Sequence, residues 1–205
     1  MKVSMRDDDF PVAYDEVLRM GDDELKSLLI LHLDRYSLRR GDFTLKSGRK
    51  SSWFIDSKAT ACHPQGMLLV GELLKRRLPD DVEGIGGLTM GADPVAFSVG
   101  AIANVSGRPL FTFSVRKTEK DHGGGGRIAG LLPAGANVCI CEDTVTRGTS
   151  IFEAVDVSEA SGAKVAFVTA IVDRGGTVGA MCEAREIAYS PLVTAIDLGF
   201  AYEGS

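Results

Sequence analysis

Glu142 and Asp143 stand side by side after the uncharged run Val138-Cys139-Ile140-Cys141, and Thr144-Val145-Thr146-Arg147-Gly148-Thr149-Ser150 follows at once. Two adjacent carboxylates can hold sugar hydroxyls, take part in binding a hard cation such as Mg²⁺, or place negative charge beside a developing carbocation. The Thr/Gly/Ser segment suits a different partner. Gly148 relieves the steric limits on a tight turn, so backbone N–H groups can converge on a phosphate, and Thr146, Thr149 and Ser150 add hydroxyl donors. A helical pattern starts at Ile151 and turns its positive end toward the same point. A sugar phosphate satisfies both halves. A plain strand-to-helix turn with an N-cap has a similar composition, so the turn alone leaves both readings open.

Arg116, Lys117, Lys120 and His122 crowd a second stretch, which runs on through Gly123-Gly124-Gly125-Gly126 to Arg127. Four consecutive glycines lose much backbone entropy on ordering, and a long loop in a compact fold is either functional or simply solvated. Next to a phosphate-binding turn, a basic lid can neutralise a polyanion and exclude water from a reactive sugar. Arg174 follows Val172-Asp173 at the end of a third apolar run. Its guanidinium is a planar fork of donors suited to a carboxylate or to imide carbonyls. A surface Asp-Arg pair is the plainer alternative.

Positioning these groups requires strands that end at one edge. The run at 138–141 lacks charge and reads as a strand buried on both faces, with the two acids emerging at its carboxyl end. Further strands are expected at 82–86, 110–115, 165–172, 187–189 and 193–196. Helices are expected at 91–105, 151–161 and 177–184, with Gly162 ending the second. This alternation predicts a mainly parallel, doubly wound α/β sheet. Upstream, residues 22–38 read as a helix capped by Asp22 or Asp23 and ended by Gly41. Residues 43–56 read as two short strands joined through Ser47-Gly48-Arg49, and Pro64 opens a helix running to about residue 78. The first 20 residues give no clear pattern, and 116–135 reads as one long connection.

The chain has 205 residues, 44% hydrophobic and 25% charged, with net charge −5. That fits one α/β domain, gives no electrostatic footprint for nucleic acid, and contains no apolar stretch of membrane-spanning length. Residues 1–10 carry acids and no apolar secretory core, so the cytoplasm is the expected location. Cys139 and Cys141 alternate within a strand and would share a face as buried thiols. Cys62, Cys182 and the three histidines, His32, His63 and His122, show no metal-ligand spacing.

The 138–150 segment resembles the phosphoribosyl-pyrophosphate (PRPP) motif of type I phosphoribosyltransferases: apolar strand, two acids, Thr/Gly-rich loop. Arg147 stands where that family usually has a small or neutral residue. The basic stretch resembles the flexible catalytic loop of orotate phosphoribosyltransferases, Arg-Lys-x-x-Lys-x-His-Gly, with Arg116, Lys117, Lys120, His122 and Gly123 filling every position. Leu45-Lys46-Ser47-Gly48-Arg49-Lys50-Ser51, with Trp53-Phe54 after it, is similar to that family's hood segment. Gly86-Gly87-Leu88-Thr89-Met90-Gly91-Ala92-Asp93-Pro94 is similar to its pyrophosphate turn, where some members carry Lys in place of Met90.

The resemblance implies a type I phosphoribosyltransferase fold, with an N-terminal extension and hood over about residues 1–60 and an α/β core over 61–205. It implies PRPP contacts from Lys46, Arg116, Lys117, Lys120, His122, Glu142, Asp143 and residues 144–150, and orotate contacts from Phe54, Ile55, Thr146 and Arg174. Lys120, His122 and Asp143 would be catalytic. Mg²⁺ would be held mainly through PRPP and water near Glu142 and Asp143. A homodimer sharing the 116–130 loop is implied as well. A phosphoribosyltransferase for another base, or a PRPP-binding regulator without turnover, remains an alternative.

Overall fold

A computed structural model describes residues 10–11, 13–44, 48, 50–119 and 126–203. It opens with α1 (Tyr14–Arg19), within the stretch that showed no sequence pattern. A helix this short has little stability of its own; tertiary contacts hold it. Val17 is fully buried. The Tyr14 hydroxyl donates to Glu72 Oε2 at 2.9 Å, and Arg76 Nη1 donates to the Met20 carbonyl at 2.8 Å.

α2 (Asp22–Tyr36) buries Leu25, Leu29, His32 and Leu33, one apolar stripe at helical spacing. Its N-cap is Gly21, and Asp22, Asp23 and Glu24 occupy the first turn, where their charge favours the helix dipole. The helix stops earlier than expected. Gly41 does not end it but lies inside β1 (Leu38–Thr44), at the irregularity in register between Arg40 and Phe43. Its φ of 148° explains the glycine. β1 pairs antiparallel with β2 (Lys50–Ile55) to form the hood hairpin. Of the expected connector, Ser47 and Arg49 lie outside the described residues, and Gly48 has φ 80°, suited to a turn.

α3 (Lys58–Ala61) and α4 (Pro64–Arg77), with Pro64 in its first turn, lead into the main sheet. The sheet contains β3 (Gly84–Leu88), β4 (Phe111–Val115), β5 (Ile128–Gly130), β6 (Asn137–Val145), β7 (Lys164–Asp173), β8 (Ala188–Tyr189) and β9 (Val193–Thr194). Its order is β5-β4-β3-β6-β7-β8, with β9 also on β7, and every pairing is parallel except β4 with β5. α5 (Ala92–Val105), α6 (Thr149–Ala160) and α7 (Val178–Glu183) supply the crossovers. The 116–135 connection therefore contains an edge strand, β5, and β3 starts two residues later than expected.

Alternation along β6 divides the core. Cys139 and Cys141 face the cluster built on α2, α4 and α5, whereas Val138 and Ile140 face the cluster built on α6 and α7. Both thiols are fully buried, and burial pushes each far above the ordinary thiol range. β6 also runs further than the sequence suggested. Thr144 and Val145 still pair with Val172 and Asp173 of β7, so Glu142 and Asp143 lie within the strand rather than beyond it. The sheet order reverses between β3 and β6, which opens a crevice at their carboxyl ends. No helix among the described residues is long and apolar enough to cross a membrane.

Candidate active site

Two turns meet at that crevice. After β6 the chain turns through Thr146, Arg147 and Gly148 into α6, with Gly148 at φ 81° as N-cap. After β3 it turns through Thr89, Met90 and Gly91 into α5. Residues 144–151 form one wall of a cavity of about 720 Å³. Phe43, Thr44, Phe54 and Arg39 of the hood, with Arg174, complete it. The structure thus brings Thr144, Val145, Thr146, Arg147, Gly148, Thr149, Ser150, Phe54 and Arg174 around one space. Ile55 is not among the lining residues. Alternation along β2 sends Ser51, Trp53 and Ile55 inward, and Ile55 packs into the core.

Glu142 and Asp143 are 5% and 7% exposed, behind the turn after β3. The Asp143 N–H donates to Glu142 Oε1 at 3.1 Å, and Lys58 Nζ reaches Asp143 Oδ2 at 2.6 Å. Next to that ion pair, the hydroxyls of Ser57 and Thr144 are 2.5 Å apart. Burial, then the neighbouring Asp143 charge, pushes the Glu142 carboxyl up to about 8. The Asp143 partner holds the Lys58 ammonium above its ordinary value although burial opposes this.

The raised Glu142 value fixes a pH dependence. In the ligand-free protein the folded state keeps a proton on Glu142 that the unfolded chain has released above its ordinary 4.5, so stability falls as pH rises from about 4.5 to about 8 and then levels. Glu142→Gln should remove that part of the slope. Urea unfolding of both proteins across this window measures it, and parallel slopes would reject the assignment.

Gly91 is fitted to these acids. A Cβ there would collide with Glu142 Oε1 and stand 2.6 Å from Asp143 Oδ1. Gly91→Ala is expected to displace both carboxylates and lower kcat/KM for the PRPP that the sequence resemblance implies by about 10²-fold, with a smaller loss of melting temperature. Steady-state kinetics beside a thermal melt separates the two effects.

Arg174 directly follows β7 and is braced on several sides. Its N–H donates to the Val145 carbonyl at 2.8 Å. Its Nη2 donates to the Trp53 carbonyl at 3.0 Å and the Ser51 hydroxyl at 3.2 Å, and pairs with Glu203 at 2.7 Å. The guanidinium lies 4.5 Å from the centre of the Trp53 ring. The neighbouring loop presses on the phosphate-type turn: the Thr177 hydroxyl donates to the Thr146 carbonyl at 2.9 Å, and a Cβ at Gly175 would collide with that same carbonyl.

Of the basic segment, Arg116 and Lys117 line a second cavity of about 490 Å³ with Thr89, Met90, Thr118 and Glu119. Met90 offers no charge there and is 68% exposed. Arg116 and Arg127 clamp the foot of the segment. The Arg116 N–H donates to the Arg127 carbonyl, and Arg127 Nε to the Arg116 carbonyl, both at 2.7 Å. Lys46, Lys120 and His122 lie outside the described residues. Sequence reasoning missed Lys58 and Ser57, which reach Asp143 and Thr144 from 85 and 87 positions away. It also missed Arg39 and Glu203; nothing in their local sequence marks them.

No family model matches the chain. Among curated proteins it is 36% identical over 180 residues to the orotate phosphoribosyltransferase of Nostoc sp., covering 87% of each chain. It is also 36% identical over 181 residues to that of Mycobacterium avium, covering 88% of this chain and 99% of the relative. Among solved structures, Mycobacterium tuberculosis orotate phosphoribosyltransferase in complex with PRPP superposes with a TM-score of 0.71 at 32% identity, covering 86% of this chain and 99% of that one. The parallel sheet flanked by helices is the type I phosphoribosyltransferase fold, and the chain belongs to the orotate phosphoribosyltransferase family.

Proposed function

We propose that the site performs its family's reaction: the 5-phosphoribosyl group passes from PRPP to orotate, giving orotidine 5′-monophosphate and pyrophosphate, a step in UMP synthesis. One observation carries this reading. The Thr/Gly/Ser turn and Arg174 line the same cavity, whose volume of about 720 Å³ suits a sugar phosphate together with a small planar acid.

Orotate is a competent nitrogen nucleophile once N1 has lost its proton. The protein's task is therefore to align the reactants and stabilise charge as the ribosyl C1–O bond breaks and the sugar becomes oxocarbenium-like. Backbone amides of residues 144–150 grip the 5′-phosphate. Glu142 and Asp143 hold the ribose hydroxyls: a protonated Glu142 can donate as well as accept, and Asp143 supplies negative charge near the sugar. Arg174, Thr146 and Phe54 orient the base. Lys46, Arg116 and Lys117 meet the phosphates, while Lys120 and His122 close on the leaving pyrophosphate and one of them donates its proton.

Two buried carboxylates form an oxygen-only donor set that fits Mg²⁺, but no group of three His, Cys, Asp or Glu among the described residues forms a cage. The ion would therefore be held mainly through PRPP and water, near Asp143 and Glu142. When bound, it neutralises phosphate charge. The assembly we infer is a homodimer whose 116–130 loop serves the neighbouring subunit.

Incubation with PRPP, Mg²⁺ and one of orotate, uracil, adenine or hypoxanthine tests the assignment by base consumption. Loss of orotate alone is expected. Turnover of a purine would replace it with another base specificity, and PRPP binding without turnover would indicate a regulator.

A further inference from the structure

We propose that Glu203 is a positioning residue for base recognition: it orients the Arg174 guanidinium before the base arrives. This rests on the reading of Arg174 as the group that meets the orotate carboxylate. Arg174 is only 7% exposed yet lines the cavity. A cation buried this deeply needs a counter-charge and fixed acceptors. Glu203 supplies the charge, with Oε2 at 2.7 Å from Arg174 Nη2. Its other carboxylate oxygen accepts from the Ser51 hydroxyl, which itself accepts from Nη2 at 3.2 Å. The Glu203 N–H also donates to the Arg174 carbonyl at 3.0 Å, so main chain and side chain dock together.

The residues around Glu203 fix its position. Phe200 stacks on Trp53 at 4.6 Å with the rings 6° apart, and Trp53 in turn carries the guanidinium. The Tyr202 ring fills the space beside Gly176, where a Cβ would come within 2.7 Å of it. Residues 200–203 thus wrap the Trp53–Arg174 pair. A guanidinium has five N–H donors in one plane. Holding the Nη2 edge on Glu203, Ser51 and the Trp53 carbonyl fixes the direction of the whole fork, and an oriented fork binds a carboxylate with less ordering cost.

The test compares Glu203→Ala, Glu203→Gln and Glu203→Asp with Arg174→Met, each confirmed folded by thermal melt. Glu203→Ala and Glu203→Gln should raise KM for orotate roughly tenfold while KM for PRPP stays within about twofold. Glu203→Asp, which keeps the charge, should recover part of the loss. Gln keeps the packing volume, so it reports on orientation even if Ala loosens the fold. Equal rises in both KM values would make Glu203 merely structural and overturn the proposal. A lower KM for orotate would overturn it too, by showing that Glu203 competes with substrate. If Arg174→Met raises KM for orotate and the Glu203 variants do not, positioning alone fails. If Arg174→Met leaves KM for orotate unchanged, the base-binding reading fails and the proposal with it.

Discussion

Lys120→Ala should lower kcat by roughly 10²- to 10³-fold while orotate binding changes little. The reason is when the charge appears. Before the C1–O bond breaks, the diphosphate's negative charge is already present and solvated. As the bond breaks, more charge builds on the bridging oxygen, and a cation closing on that oxygen interacts more strongly with the transition state than with the bound substrate. Such a loss falls on kcat. The segment bearing Lys120 joins Lys117 to Arg127, and its foot is pinned by the two 2.7 Å hydrogen bonds between Arg116 and Arg127. That foot stands beside the turn at Thr89 and Met90, the side of the crevice assigned to pyrophosphate. With Met90 uncharged, that turn offers the leaving group no cationic side chain, which is why the proposed reaction draws on the loop. Steady-state and single-turnover rates with saturating PRPP measure the effect. A single-turnover rate equal to wild type would remove Lys120 from the chemical step.

The fold and half of the site were legible because they are written locally. The strand at 138–141 and most of α6 follow from period and charge alone, although α6 starts at Thr149, two residues before the pattern does. Cys139 and Cys141 share a core face because alternation in a strand has no other outcome. The Thr/Gly/Ser turn could be read because Gly148 does need its left-handed conformation, with φ at 81°. Gly41 misled for a related reason: a glycine that ends a helix and a glycine that lets a strand bulge look alike in one sequence. Glu142 and Asp143 were read as lying past the strand because charge usually marks a strand's end; pairing with β7 carries β6 on to Val145. Lys58 and Glu203 were beyond reach. Each matters only through a partner brought near by the sheet, Asp143 for one and Arg174 for the other, and nothing in their local sequence announces a partner.

Mixing Lys120→Ala subunits with Asp143→Asn subunits, each nearly inactive alone, should restore about a quarter of wild-type activity. The figure follows from symmetry. In an equal mixture with free exchange, half of the dimers are hybrids. If the loop of one subunit closes over the acids of the other, each hybrid has one site with intact loop and intact acids and one with both altered. If instead each loop serves its own subunit, every site carries one lesion and nothing is recovered. Subunit exchange is verified first with differently tagged chains, and activity is then followed against mixing ratio. A maximum near equal proportions establishes action in trans, whereas activity no greater than the weighted mean of the two variants establishes that each loop serves its own active site.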